Sequence, residues 1–192
     1  MDVANFDGRI IIAQTPEEVK KGMRYISKFP VVGIDTESKP SFKKGKNNSI
    51  ALLQVATDEC CILFRLNTTG LTDEIKEFLE NKNITKAGLS LRDDFMMLHK
   101  LASFDPQGFV DIQDIVYKFN IGDKSLQKIY AILFGKRISK AQRLSNWEAE
   151  ILSDAQKTYA ATDAWASLKI YRAFKDKNIT ENYRKLAKSI KL

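Results

Sequence analysis

The stretch Val31-Val32-Gly33-Ile34-Asp35-Thr36-Glu37 constrains this chain more than any other. It is a short apolar run that ends on two carboxylates one residue apart. In a strand, side chains at i and i+2 share a face, so Asp35 and Glu37 stand side by side. Like charges at that spacing raise each other's pKa and are costly unless a cation lies between them. A strand running into a solvated acidic loop carries the same residues with no metal. The two readings separate on whether later carboxylates also interrupt faces that are otherwise apolar.

With 192 residues the chain is long enough to bury a substantial core, and no linker, repeat or low-complexity tract divides it. The expectation is one domain over residues 1–192. Hydrophobic residues at 44% and charged residues at 29% are the balance of a globular chain, not a disordered one. No apolar stretch reaches the length of a membrane span, and Met1-Asp2-Val3-Ala4-Asn5 lacks the basic start and apolar run of a signal peptide. No membrane partner is expected. The only two cysteines, Cys60 and Cys61, are neighbours, which suits neither a disulfide framework nor a zinc site, so a reducing cytoplasmic location is expected. A net charge of +7, from 31 Lys and Arg against 24 Asp and Glu, favours a polyanionic partner.

Along the chain, Thr15-Pro16-Glu17-Glu18 predicts a helix start, with a Thr cap, Pro in the first turn and Glu three residues after the cap. That helix runs to about Lys28 with Val19, Met23 and Ile26 inward, and the strand bearing Asp35 and Glu37 follows. Residues 38–48 read as a loop. Ser49–Thr57 and Cys60–Leu66 are β-rich runs around Asp58-Glu59 and predict a hairpin. A helix is expected over Thr72–Glu80, a buried strand over Ile84–Leu89, and a short strand at Phe109-Val110. Ser90-Leu91-Arg92-Asp93 reads as a second capping box, opening a helix to about Ala102 with Asp93 in the reciprocal position. Helices follow at 112–119 and 125–134, the latter closed by Gly135, then a long one from Ser153 to about Lys175 and a basic one at 180–190. Early strands with helices around them predict an α/β fold, a mixed sheet flanked by helices.

The later acids do interrupt apolar faces. On the long helix, Ala155, Tyr159, Thr162, Ala166, Ile170 and Phe174 make an inward stripe, and Asp163 lies on it one turn after Tyr159. Asp94 interrupts the face formed by Leu91, Leu98 and Leu101. A carboxylate on a buried face needs a cation, a donor set or a metal. Asp35, Glu37, Asp94 and Asp163 thus form a candidate metal set of oxygen donors, which suits Mg²⁺ or Mn²⁺ and not zinc. His99 is the only histidine and reads as structural or surface. Hard cations held by acids in a basic protein point to phosphodiester chemistry.

The segments Gly33-Ile-Asp-Thr-Glu37, Lys86-Ala-Gly-Leu-Ser-Leu-Arg-Asp-Asp94 and Tyr159-Ala-Ala-Thr-Asp163 resemble the three motifs of the DEDD exonuclease superfamily. Tyr159, four residues before the last Asp, resembles the tyrosine subclass; the histidine subclass would place His where Thr158 stands. Within it the chain is most similar to ribonuclease D and the Werner-syndrome-type exonuclease domain, with Ser145-Asn146-Trp147 and Leu152–Asp163 like that type's late segment. The likeness covers about residues 10–175. One departure is Ser38, where the Werner-type domain has Trp, and it bears on substrate preference. The resemblance implies a ribonuclease-H-like mixed sheet of about five strands in a stand-alone exonuclease module, without the helicase or extra helical domain of its relatives.

It also implies the chemistry: metal-dependent 3′–5′ removal of nucleotides from DNA or RNA with a free 3′ end, through two divalent ions, Mg²⁺ or Mn²⁺, releasing nucleoside 5′-monophosphates. Asp35 would bridge both ions, Glu37 and Asp163 would complete one, Asp94 would act on the other through water, and Tyr159 would orient the nucleophilic water. Lys39, Lys43, Lys44 and Lys46 follow the first motif and are placed to meet phosphates. Phe42 among them is equally a base-stacking platform or part of a solvated loop. Lys140 and Arg143 are further phosphate-contact candidates, and Trp147 reads as core. Three other classes fit parts of the pattern: a catalytically inactive nucleic-acid-binding module, a phosphatase of small nucleotides, and a structural protein with salt-bridged acids. Retention of all four acids with Tyr159 favours the exonuclease.

Overall fold

Three consecutive isoleucines, Ile10 to Ile12, make a strand that the sequence pattern did not announce. The computed structural model describes residues 2–41, 48–119 and 121–176. Among them the chain order is β1 (Arg9–Ala13), α1 (Pro16–Ile26), β2 (Val31–Ser38), β3 (Ile50–Ala56), β4 (Cys60–Arg65), α2 (Leu66–Thr69), α3 (Asp73–Glu80), β5 (Thr85–Gly88), α4 (Leu91–Leu98), β6 (Phe109–Asp111), α5 (Ile112–Tyr117), α6 (Leu126–Phe134) and α7 (Asp154–Lys175). The six strands form one sheet in the order β1-β4-β3-β2-β5-β6. The expected five become six because β1 adds an edge, parallel to β4. Phe42, Lys43, Lys44, Lys46 and the helix expected at 180–190 lie outside the described residues.

The hairpin expected around Asp58-Glu59 is β3–β4, antiparallel, and β2 pairs antiparallel with β3. β2–β5 and β5–β6 are parallel, so the sheet is mixed. Helices cover both faces. On one, Val19, Met23 and Ile26 of α1, Ile75, Phe78 and Leu79 of α3, and Leu91 and Leu98 of α4 pack on Val32, Ile34, Val55 and Ile62. On the other, α7 lays Tyr159, Ala160, Ala161 and Ala164 against Leu52, Ala56, Cys61 and Leu63, with Trp147 fully enclosed beside them. Two covered faces explain why β3 and β4 are buried at every position and show no alternation.

Two capping boxes form as expected, Thr15 with Glu18 on α1 and Ser153 with Gln156 on α7. The third does not. Ser90 sits in the left-handed region (φ 60°) and its side chain caps nothing, so Asp93 has no reciprocal partner. The N-terminus of α4 is capped from another strand instead. Asp111 accepts hydrogen bonds from the backbone N–H of Ser90 (3.1 Å) and Leu91 (2.9 Å), and also from that of Gln113 (2.9 Å) at the start of α5. One carboxylate therefore satisfies the orphan donors of two helices.

Gly33 sets how closely α7 approaches β2. A Cβ on Gly33 would lie 1.9 Å from the carbonyl oxygen of Ala164. Only hydrogen fits between strand and helix backbone there, and Asp163 is the residue before Ala164. Gly33→Ala is expected to cost about 3 kcal/mol, lowering Tm by roughly 6–12 °C. Gly122→Ala, where an added Cβ meets no atom within 4 Å, serves as the control and changes stability by less than about 0.5 kcal/mol. Thermal unfolding followed by circular dichroism checks both.

Candidate active site

Residues 33, 35 and 37 of β2 point to the α7 side, and residues 32, 34 and 36 to the other. The close approach over Gly33 brings Asp163 of α7 down onto Asp35 and Glu37. One carboxylate oxygen from each of the three lies within 4.8 Å of the others. Asp163 is 4% exposed, and its Oδ1 is buried with no hydrogen-bond partner among the described residues. Asp35 and Glu37 are half-buried at the cleft floor. Tyr159, one turn before Asp163, is packed beside Trp147 with ring centroids 6.0 Å apart and lines the same cleft as Asp163.

Asp94 arrives from the opposite face. Its Oδ1 accepts a hydrogen bond of 2.6 Å from the hydroxyl of Thr36, the residue between Asp35 and Glu37. It stands outside the tight group of three, yet its charge reaches both Asp35 and Glu37. The structure thus places the four expected acids around one strand end, three in mutual reach and one behind.

Electrostatics follow from that crowding. Burial, then the charges of Asp163, Glu37 and Asp94, push the Asp35 carboxyl well above its ordinary range. Burial and the neighbouring acids do the same to Glu37. Asp163 is raised by burial, while the Tyr159 hydrogen bond and the charge of Lys140 pull it partly back. Asp94 is raised by burial to about 6, with the Thr36 hydrogen bond opposing. Burial and the carboxylates push the Tyr159 phenol up as well, so it keeps its proton. Among the described residues no Lys or Arg forms an ion pair with Asp35, Glu37 or Asp163. Carboxylates that cannot all ionise alone, with one buried oxygen unpartnered, fit a hard divalent cation.

The acids open into a cleft of about 300 Å³ whose wall includes Lys140 and Arg143, the two phosphate-contact candidates, and also Ser125 and Gln127 at the start of α6. Neither Ser125, which caps α6, nor Gln127 stands out in the sequence as a cleft residue. Lys39 lies outside this wall and pairs with Glu148 at 3.7 Å. His99 is structural: its ring nitrogens face the carbonyls of Phe95 and Phe104 and it stacks on the Phe104 ring. Trp147 is core.

A mixed sheet flanked by helices, with clustered acids at the end of its central strand, is the architecture of the ribonuclease-H-like exonucleases. Residues 10–178 match the family model for the 3'-5' exonuclease, and the chain belongs to that family. It is 35% identical over 153 residues to the mouse bifunctional 3'-5' exonuclease/ATP-dependent helicase WRN, covering 77% of this chain and 11% of that protein. It is 31% identical over 187 residues to an Arabidopsis thaliana 3'-5' exonuclease, covering 89% and 65%. The chain therefore spans less than two thirds of either relative's length. In fold it is similar to the Aedes aegypti Nibbler EXO domain, with a TM-score of 0.81, 17% identity, and coverage of 95% and 100%.

Acids whose pKa is raised on folding bind more protons folded than unfolded. Their contribution to stability is complete below the unfolded pKa, near 4, and is lost as pH rises through the folded values. In a chelator, Tm is therefore expected to fall as pH rises from 4 through 6, where Asp94 titrates, and onward. Asp163→Asn at pH 8 in chelator is expected to raise Tm by about 2–4 °C, removing one buried like charge. Differential scanning calorimetry across pH checks both.

Proposed function

We propose that the chain is a 3′–5′ exonuclease that hydrolyses phosphodiester bonds of DNA or RNA at a free 3′ end and releases nucleoside 5′-monophosphates. One observation carries this reading: a carboxylate oxygen from each of Asp35, Glu37 and Asp163 within 4.8 Å of the others, with the Asp163 Oδ1 buried and unpartnered among the described residues, in a cleft walled by Lys140 and Arg143. Asp35, Glu37 and Asp163 would hold one divalent ion, and Asp35 with Asp94 a second, Mg²⁺ or Mn²⁺ in each case. Bound there, such ions would let water attack as hydroxide at neutral pH and would stabilise charge on the leaving 3′ oxygen.

The protein's own groups orient the reactants. Tyr159 stays protonated, so it serves as a hydrogen-bond donor and not as a base, and from its place beside Asp163 it would orient the attacking water. Thr36 holds Asp94 at its distance from the other three. Lys140 and Arg143, exposed on the cleft wall, contact the backbone phosphates of the bound strand. Backbone contacts of this kind engage either sugar, and the reading accommodates both nucleic acids.

The test uses 5′-labelled single- and double-stranded DNA and RNA with Mg²⁺ or Mn²⁺. A ladder shortening from the 3′ end is expected. Asp35→Ala should lower kcat/KM by about 10³-fold or more, and Tyr159→Phe should lower kcat by about 10²-fold. Endonucleolytic cuts, or activity that survives Asp35→Ala, contradict the reading. Lys140→Ala with Arg143→Ala should raise KM at unchanged kcat and flatten the salt dependence on single strands by about 0.7 in slope per lost contact.

A further inference from the structure

β3 is buried along its whole length, and Gln54 is its one polar side chain. Gln54 is 0% exposed, and neither its amide nitrogen nor its amide oxygen has a hydrogen-bond partner among the described residues. A buried amide in that state lowers stability, whereas an apolar side chain of the same shape fills the space without that cost. Such a group calls for an explanation outside core packing.

Its register points to the explanation. Gln54 lies directly across the β2–β3 ladder from Asp35. Opposed residues on antiparallel strands share a face with Cβ atoms roughly 4.5–5.5 Å apart, so Gln54 stands beside Asp35 on the α7 side. The equivalent neighbour of Glu37 is Leu52, which offers only carbon. Of the two acids on β2, Asp35 alone has an amide at its side.

Building on the cation-binding reading above, we propose that Gln54 is a positioning residue for Asp35. With the cation in place, the Gln54 amide N–H donates to the Asp35 oxygen lone pair that faces away from it, and so fixes the rotation of the carboxylate. An ionised carboxylate has about four acceptor sites, and metal-ligating carboxylates are oriented by donors behind them. The residue type fits the task. A Lys or Arg at this position would pair with Asp35 and compete with the cation. A Leu would leave the carboxylate free to turn. A neutral amide orients Asp35 while leaving the charge of the acid cluster to the cation.

Gln54→Met, which keeps length and volume, and Gln54→Leu test this, with Leu52→Met as a packing control on the same strand. Tm is measured in chelator and across a Mn²⁺ titration, alongside nuclease kcat. In chelator both Gln54 variants are expected to melt at or above the wild type. Their Mn²⁺ concentration for half-maximal stabilisation is expected to rise about tenfold, while Leu52→Met stays within twofold of wild type. Half-saturation within twofold of wild type in both Gln54 variants overturns the proposal, as does an equal shift in Leu52→Met. If the wild type itself gains no stability from Mn²⁺, the cation reading fails and takes this inference with it.

Discussion

Mutual repulsion among Asp35, Glu37 and Asp163 is the interaction on which the rest of the structure turns. Nothing in the acids themselves brings them together; burial raises all three and their charges oppose one another. What holds them is apolar packing on both sides of the sheet, and above all the contact of α7 with β2 over Gly33. The fold spends hydrophobic burial on keeping like charges close. That arrangement favours protonated carboxyls, and it offers a hard cation three clustered oxygen donors.

The two faces of the sheet divide the work. The α7 face carries the cleft: three clustered acids, the Tyr159 ring beside Asp163, and the Lys140 and Arg143 wall. The other face supplies placement. Thr36 reaches through the strand end to hold Asp94, and Asp111 holds the start of the helix on which Asp94 rides. Because Asp111 caps α4 and α5 together, the position of Asp94 is tied to the β6 edge of the sheet as well as to the central strand. A left-handed Ser90 without a cap of its own is tolerated because that external carboxylate is present.

How much was legible in the sequence depended on whether the physics was local. The Thr15 and Ser153 caps, the Gly135 stop and the α7 stripe from Tyr159 to Phe174 rest on neighbours within four residues and form as the pattern predicts, whereas Ala155, expected inward, is exposed and Gln156 beside it is buried. The pairing of Asp35 with Glu37 follows from strand alternation, and Asp163 from helical spacing. The Ser90 box was misread because its true partner, Asp111, lies 21 residues away on another strand. β1 was missed because five residues with three adjacent isoleucines have no alternation to detect. Gly33 as a contact point, Gln54 as a neighbour of Asp35, and Ser125 and Gln127 as cleft wall are facts of tertiary register, with no signature in the chain alone. The separation of Asp94 from the other three acids belongs to the same class: motif order predicted four acids at one strand end and not which side each approaches from.

The most direct test of the central claim is where a cation binds. Crystals soaked in Mn²⁺ and measured near the manganese absorption edge would locate it by anomalous scattering. Anomalous density enclosed by the Asp35, Glu37 and Asp163 carboxylates is the predicted result. Crystals in which Mn²⁺ binds only elsewhere, with these three carboxylates unliganded, would contradict it.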